Sequence, residues 1–295
     1  MKPTKEKKWV KIKFIVPSGT SDYLSYILDE LGALGSIIDN NTSNNLTILT
    51  TFFNFEQHPF LLIEKIKKKI KKAFPFFPKL KGYRLSWEII EKEDWAYSWK
   101  KYFTYHKITK KIAIAPPWEK KRNDVPIFIY IEPAMAFGTG LHPTTKLCLM
   151  MLEKYITQKE IKDLLDVGTG SGILSIASIF LGAKNVLGID IDKDAIKSAR
   201  KNRRLNRLKK KPIFSSKPLS KIRKKFDIVV ANLTRDIIVE NHHYLNERIV
   251  THGKLIISGI LIEQKKEIKA LMQKNGLKLI DEKENEDWLC LVMEK

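Results

Sequence analysis

The chain has 295 residues, 43% of them hydrophobic and carrying a formal net charge of +21, so a small domain beside one of ordinary size is the natural expectation. Its longest apolar stretches, such as Ile173 to Leu181, fall far short of the roughly 20 residues that cross a bilayer, and no transmembrane helix is expected. Two cysteines, Cys148 and Cys290, have neither the spacing of a zinc site nor that of a disulfide framework.

The basic start, Met1 to Lys8, runs into the alternating Trp9-Val10-Lys11-Ile12-Lys13-Phe14 rather than a continuous apolar core, so no secretory signal is read and the expected compartment is the cytoplasm. Trp9 to Val16 reads as a strand, and Ser21 to Leu34 as a helix ahead of Gly35. A short strand near Ser36 to Asp39 and a longer one over Leu46 to Phe53 follow. Next come an amphipathic helix over Pro59 to Phe74, with Leu62, Ile63, Ile66 and Ile70 inward, and a strand over Leu85 to Ile90. This βαββαβ order predicts a small ferredoxin-like α+β domain over residues 1–92, its helices on one sheet face and the other face or the edges open to a partner. The aromatic stretch with Trp95, Tyr97, Trp99 and Tyr102 predicts a linker helix over 93–104.

Residues 105–295 read as a second domain. Strand-like Lys111 to Ala115 and Ile127 to Ile131 lead in, and from Asp163 strands and helices alternate as in a doubly wound, Rossmann-like α/β sheet. The strands fall at Leu164 to Val167, Val186 to Ile191, Ile213 to Ser215, Ile228 to Asn232 and Leu255 to Ile260. A last one over Asp287 to Met293 is expected antiparallel at the sheet edge.

The first of these strands runs into Gly168-Thr169-Gly170-Ser171-Gly172, where glycine lets the backbone turn tightly and approach a ligand. The spacing is G-x-G-x-G, not the G-x-G-x-x-G of dinucleotide folds, and no Lys-Ser or Lys-Thr pair follows, which argues against a nicotinamide cofactor and against a triphosphate loop. Alone, such a loop is equally a structural turn. About 20 residues on, the second strand ends in Gly188-Ile189-Asp190-Ile191-Asp192, and a carboxylate there can accept two ribose hydroxyls. A helix N-cap explains Asp192 better than Asp190. The fourth strand delivers Asn232 to the same edge, either to receive an amine or to cap the next helix. Upstream, Phe137-Gly138-Thr139-Gly140-Leu141 looks like a lid feeding a helix that begins at Pro143. Its free N–H groups and the Thr145 hydroxyl suit a carboxylate. His142, without an acidic partner or metal-ligand spacing, reads as structural.

Taken together these segments resemble the bacterial ribosomal protein L11 methyltransferases, within the class I S-adenosylmethionine-dependent enzymes. The matching residues are Ala136 to Gly140 with His142 to Thr145, Asp166 to Gly168 with Gly170 to Leu174, Gly188 to Asp190, Val230 to Asn232 and Ser258 to Leu261. With the small N-terminal domain and the Asp94 to Trp99 segment, the likeness covers almost the whole chain. It implies a seven-stranded methyltransferase domain with S-adenosyl-L-methionine held by Thr145, Gly168, Asp190 and Asn232, joined by Gly170 and Phe137. It further implies that Asn232 and the lid position an acceptor amine with no obligate general base and no metal. The implied substrate is ribosomal protein L11, trimethylated at its N-terminal amine and lysine side chains, gripped by the N-terminal domain of a monomeric enzyme.

The chain departs from the family at Leu141, usually Thr, at Thr169, usually Cys, and over Leu233-Thr234-Arg235-Asp236, which replaces an Ile-Leu-Ala stretch. The last bears on the acceptor side. Because Asn232 is not followed by Pro-Pro-Tyr, the clamp of adenine-base and glutamine-amide methyltransferases is missing, which favours an amine acceptor. The basic charge leaves a nonspecific RNA contact, and a ribosomal RNA methyltransferase, as alternatives. A non-catalytic RNA-binding module is a third reading, suggested by Phe52 and Phe53 on a βαββαβ domain that otherwise lacks the RNA-recognition consensus.

Overall fold

The computed structural model describes residues 8–39, 45–55, 58–90, 104–132, 142–158 and 160–295. Contacts divide them into a unit ending at Thr104 and a second beginning at Tyr105. The predicted lid, Phe137 to Leu141, and most of the predicted linker lie outside the described residues.

The N-terminal unit contains β1 (Trp9–Pro17), α1 (Ser21–Glu30), β2 (Ser36–Asp39), β3 (Leu46–Asn54), α2 (Pro59–Ala73) and β4 (Arg84–Ile90). Its four strands form one antiparallel sheet in the order β2-β3-β1-β4. Alternation in β1 turns Val10, Ile12, Phe14 and Val16 into a core shared with Leu24, Ile27 and Leu28 of α1. From α2 the same core takes Leu62, Ile63, Ile66 and Ile70, the four residues whose helical spacing predicts it. The first helix stops four residues short of the expected Leu34. Gly32 adopts φ +90°, and its N–H and that of Ala33 bond back to Asp29 and Leu28, a left-handed stop that apolar spacing does not register.

The second unit opens with a three-stranded sheet of β5 (His106–Lys107), β6 (Ile112–Ala115) and β7 (Ile127–Tyr130), in which β6 and β7 run parallel. Then come α3 (Pro143–Gln158), β8 (Asp163–Val167), α4 (Ile173–Leu181), β9 (Asn185–Ile189), α5 (Lys193–Leu205), β10 (Ile213–Ser215), β11 (Phe226–Asn232) and α6 (Arg235–Glu247). The chain continues through β12 (Ile249–Leu261), α7 (Lys265–Lys274), β13 (Lys278–Asn285) and β14 (Trp288–Glu294). Seven strands make a mixed central sheet in the order β10-β9-β8-β11-β12-β14-β13. Strands β8, β11 and β12 are near-continuous apolar runs, as strands covered on both faces require. Helices α3 and α4 pack together with α5 beside α4, while α6 and α7 join the core cluster through Ile238, Leu245, Ile268 and Met272.

Strand β14 is antiparallel, as expected, but it does not lie at the edge. It sits between β12 and β13, pairing Leu255 with Met293 on one side and Lys278 with Glu294 on the other. The outer position belongs to β13, which the sequence reading leaves unassigned because Lys278-Leu279-Ile280-Asp281-Glu282-Lys283-Glu284-Asn285 is mostly charged, as edge strands commonly are.

Candidate functional site

The order of the central sheet reverses between β8 and β11, and the crevice at the carboxyl ends of those strands is where open α/β sheets bind ligands. Gly168 follows directly on β8 with φ +72°, and its N–H and that of Thr169 both donate to Ile189 O at 2.9 Å, tying the glycine loop to the end of β9. A Cβ on Gly168 would come within 2.4 Å of Leu233 Cδ2, so a larger residue here would strain the left-handed backbone and displace the Leu233 methyl. Gly172, at φ +80°, caps α4, and its would-be Cβ meets Phe214 and Ala199 at 2.8 and 3.0 Å.

Asp190 stands one strand over. Its Oδ2 accepts the Gly170 N–H at 3.0 Å and its Oδ1 accepts Asp192 N–H at 3.0 Å, so the carboxylate braces the loop's tip. Asp192 is the N-cap of α5, accepting from Asp194 N at 2.8 Å. Asp192 therefore caps the helix, as its position predicts, while Asp190 bonds to the loop.

On the β11 side, Asn232 Nδ2 donates to Thr145 Oγ1 at 3.4 Å, which joins the strand end to the first turn of α3. Asn232 is not the cap of α6; Thr234 holds that position. Leu233 is pinned by its N–H to Ser258 O at 3.0 Å and by Gly259, whose φ of +86° and lack of a side chain admit the Leu233 carbonyl. The unusual Leu233 is thus packed between two glycines, while Arg235 pairs with Asp236 and Glu267 at the surface.

His142 lies just before α3, half-buried, with its Nδ1 accepting the Thr144 N–H at 3.3 Å and its ring edge-on to Trp288 at 4.8 Å. Burial, then the nearby Lys146, lowers its pKa to about 4, so the imidazole is neutral near pH 7. Among the described residues no three His, Cys, Asp or Glu side chains stand together as metal ligands.

Two residues of this region are given no role by the sequence reading. Asp166, fully buried, accepts Thr169 Oγ1 at 2.6 Å, Ser175 Oγ at 2.7 Å and Ser175 N at 3.1 Å, all on Oδ2; its Oδ1 has no partner among the described residues. The available signal is a carboxylate inside the apolar strand Leu164-Leu165-Asp166-Val167. Asn202 of α5, 1% exposed, donates to Ser171 O at 2.9 Å and accepts Glu132 N–H at 2.9 Å, holding the glycine loop against the segment after β7. A polar residue on the inner face of an amphipathic helix is its only trace in the sequence.

Six parallel strands with one antiparallel strand inserted next to the last, and a glycine loop beside the point of reversal that bonds to a carboxylate at the end of the neighbouring strand, define an α/β methyltransferase. Comparison with known proteins narrows the class. The family model for ribosomal protein L11 methyltransferase (PrmA) matches residues 8–295, and the chain belongs to that family. A ribosomal protein L11 methyltransferase of Dictyoglomus turgidum is 35% identical, over 97% of this chain and 98% of its own length. One from Bacillus licheniformis is 32% identical, over 98% and 100%. The crystal structure of a ribosomal protein L11 methylase from Lactobacillus delbrueckii subsp. bulgaricus superposes with a TM-score of 0.60 at 29% identity, covering 65% of this chain and 98% of that one.

Proposed function

We propose that this protein transfers methyl groups from S-adenosyl-L-methionine to amines of ribosomal protein L11, at its N-terminus and lysine side chains. The observation that carries the reading is the meeting of two pairs at one reversal point: Asp190 with the Gly168–Gly172 loop, and Asn232 with Thr145. The donor fits what is there. The loop turns through three glycines at positive φ, Gly168, Gly170 and Gly172, which leave its backbone bare of side chains, and the unpartnered Asp166 Oδ1 leaves a buried acceptor behind it.

In this reading Gly168 and Gly170 admit the donor by close backbone approach, Asp190 accepts its ribose hydroxyls, Thr145 and the first turn of α3 receive its carboxylate, and Phe137 of the lid covers it. The bound donor supplies an electrophilic methyl on a sulfonium. Transfer is an in-line displacement by a neutral amine, so the protein's own task is alignment and exclusion of water. The Asn232 amide, its Nδ2 committed to Thr145, turns Oδ1 toward the acceptor, where it takes an N–H and aims the lone pair. The amine surrenders its proton to solvent, and no residue is assigned as general base.

The N-terminal unit, read as a ferredoxin-like domain, grips the ribosomal protein, with 93–104 as linker and the enzyme a monomer. Its sheet order and its two helices on one face support that reading. A ribosomal substrate places the activity in the cytoplasm. The test is to incubate the protein with labelled S-adenosylmethionine and ribosomal components lacking the modification, then locate the label by mass spectrometry. Label on amines of ribosomal protein L11 is expected; label confined to RNA would overturn the reading.

A further inference from the structure

Between Asp194 and Asp227 the chain carries fourteen Lys and Arg and no Asp or Glu, a concentration that accounts for much of the net charge of +21. Topology gathers most of these at one place. Helix α5 leaves the carboxyl end of β9 and runs back, so its last turn and the segment before β10 arrive at the amino edge of the sheet, and residues just before β11 return there. That edge is opposite the one bearing Gly168, Asp190 and Asn232.

The acids at the amino edge are already engaged. Asp163 takes Lys224 at 2.6 Å and the Asn185 amide, Asp227 accepts the N–H groups of Lys162 and Asp163, and Glu160 pairs with Lys184 with Lys210 in its field. Within the segment Lys197 pairs with Asp194, Lys201 with Glu132, and Arg200 and Arg203 bond to the carbonyls of Phe214 and Pro212. Exposed cations remain with no acidic partner among the described residues: Arg204, Arg207, Lys209, Lys211, Arg223 and Lys225. Protection of an edge strand does not explain them, because β10 itself, Ile213-Phe214-Ser215, carries none.

We propose that the amino edge of the central sheet, through Arg204, Arg207, Lys209, Lys210, Lys211 and Arg223, is a docking surface for the phosphate backbone of double-stranded RNA. The inference rests on the ribosomal reading above for its biological setting. Proteins that live on RNA are cationic as a class, so a cationic edge repels such a substrate and attracts the RNA beneath it. The patch presents no exposed aromatic ring; Phe214 is buried under the Arg203 guanidinium. Single-strand binders stack bases on such rings, so backbone contact with a duplex is the mode that fits. Docking there leaves the carboxyl edge open.

The test uses the full chain and a short fluorescent RNA duplex, with binding followed by anisotropy over a salt series. One variant combines Lys209→Gln, Lys210→Gln, Lys211→Gln and Arg223→Gln. A second, with the same charge loss on α2, combines Lys65→Gln, Lys68→Gln, Lys71→Gln and Lys72→Gln. The edge variant should lose at least about tenfold in affinity, and its log–log salt slope should flatten by on the order of one unit per phosphate contact removed. The α2 variant should stay within about threefold of wild type on the same scale, and methylation of free ribosomal protein L11 by the edge variant should be unchanged. Equal losses in both variants, wild-type binding by the edge variant, or tighter binding of polyglutamate than of the duplex would overturn the proposal. Failure of the unaltered protein to methylate ribosomal protein L11 would instead overturn the functional reading and leave the RNA result to stand by itself.

Discussion

Asp190 and Asp192 are two residues apart, yet their environments assign them different tasks. Asp192 caps α5, and Asp190 reaches across to Gly170. Replacing Asp190 with Ala should weaken S-adenosylmethionine binding by roughly 10–100-fold, the scale of charge-assisted hydrogen bonds. Asp192→Ala should cost about 1 kcal/mol of stability with affinity kept. Calorimetry and thermal melting on the two variants separate these outcomes. The distinction was legible in sequence because a cap must immediately precede its helix. Asp166 was not, since its partners, Thr169 and Ser175, become neighbours only when the loop folds over it. Burial pushes the Asp166 carboxyl up to about 6, against the pull of hydrogen bonds from Thr169 and Ser175. Because the folded pKa lies above the unfolded one, the folded state holds the proton more tightly, and stability from this group falls as pH rises from about 4 to about 6. Asp166→Asn removes that dependence. Its stability relative to wild type should rise by roughly 2–3 kcal/mol over the window, measured by urea unfolding at a series of pH values. A flat difference would show that Asp166 does not titrate there.

At the scale of elements, the glycine loop is a joint between α4 and its neighbours. Gly172 and Gly182 bracket α4 in the same left-handed region, at φ +80° and +115°. Open space surrounds Gly182, whereas a Cβ on Gly172 would strike Phe214 and Ala199. Gly182→Ala should therefore cost only backbone strain, about 1–2 kcal/mol. Gly172→Ala should cost a further ~1–3 kcal/mol from overpacking. Chemical denaturation of both variants gives the difference, and equal losses would mean that Phe214 yields without cost. Element order was largely readable, because period-two and helical patterns alternate cleanly from Trp9 to Ile90 and again from Asp163. The two misses have separate causes: β13 hides its strand under edge charges, and α1 ends at a backbone conformation that hydrophobic spacing does not encode.

At the scale of the whole molecule, long-range meetings are what sequence patterns conceal. Cys148 of α3 and Cys290 of β14, 142 positions apart in the numbering, are both fully buried and within hydrogen-bonding reach of each other. Burial, with Cys148 next in weight, pushes the Cys290 thiol well up. Both thiols should therefore be silent toward a thiol reagent in the native protein and become reactive together at the rate of unfolding. Rapid modification of either one in the native state would contradict this arrangement. The charge has the same character: individual lysine runs read as solvated faces, and only the topology shows that those of α5 and its neighbours converge on one edge.

The meeting of His142 and Trp288 gives the protein an optical handle. The indole is 2% exposed and lies 4.8 Å from an imidazole at the entrance to α3. A protonated imidazole quenches indole emission efficiently and a neutral one does so weakly; with the His142 pKa near 4, Trp288 should glow steadily across the working range. The difference in emission between wild type and Trp288→Phe should be constant from about pH 8 to 5 and fade toward pH 4. If Thr145, three residues along the same chain, receives the donor as proposed, the emission should also respond to S-adenosylmethionine, and its binding can be timed without a label.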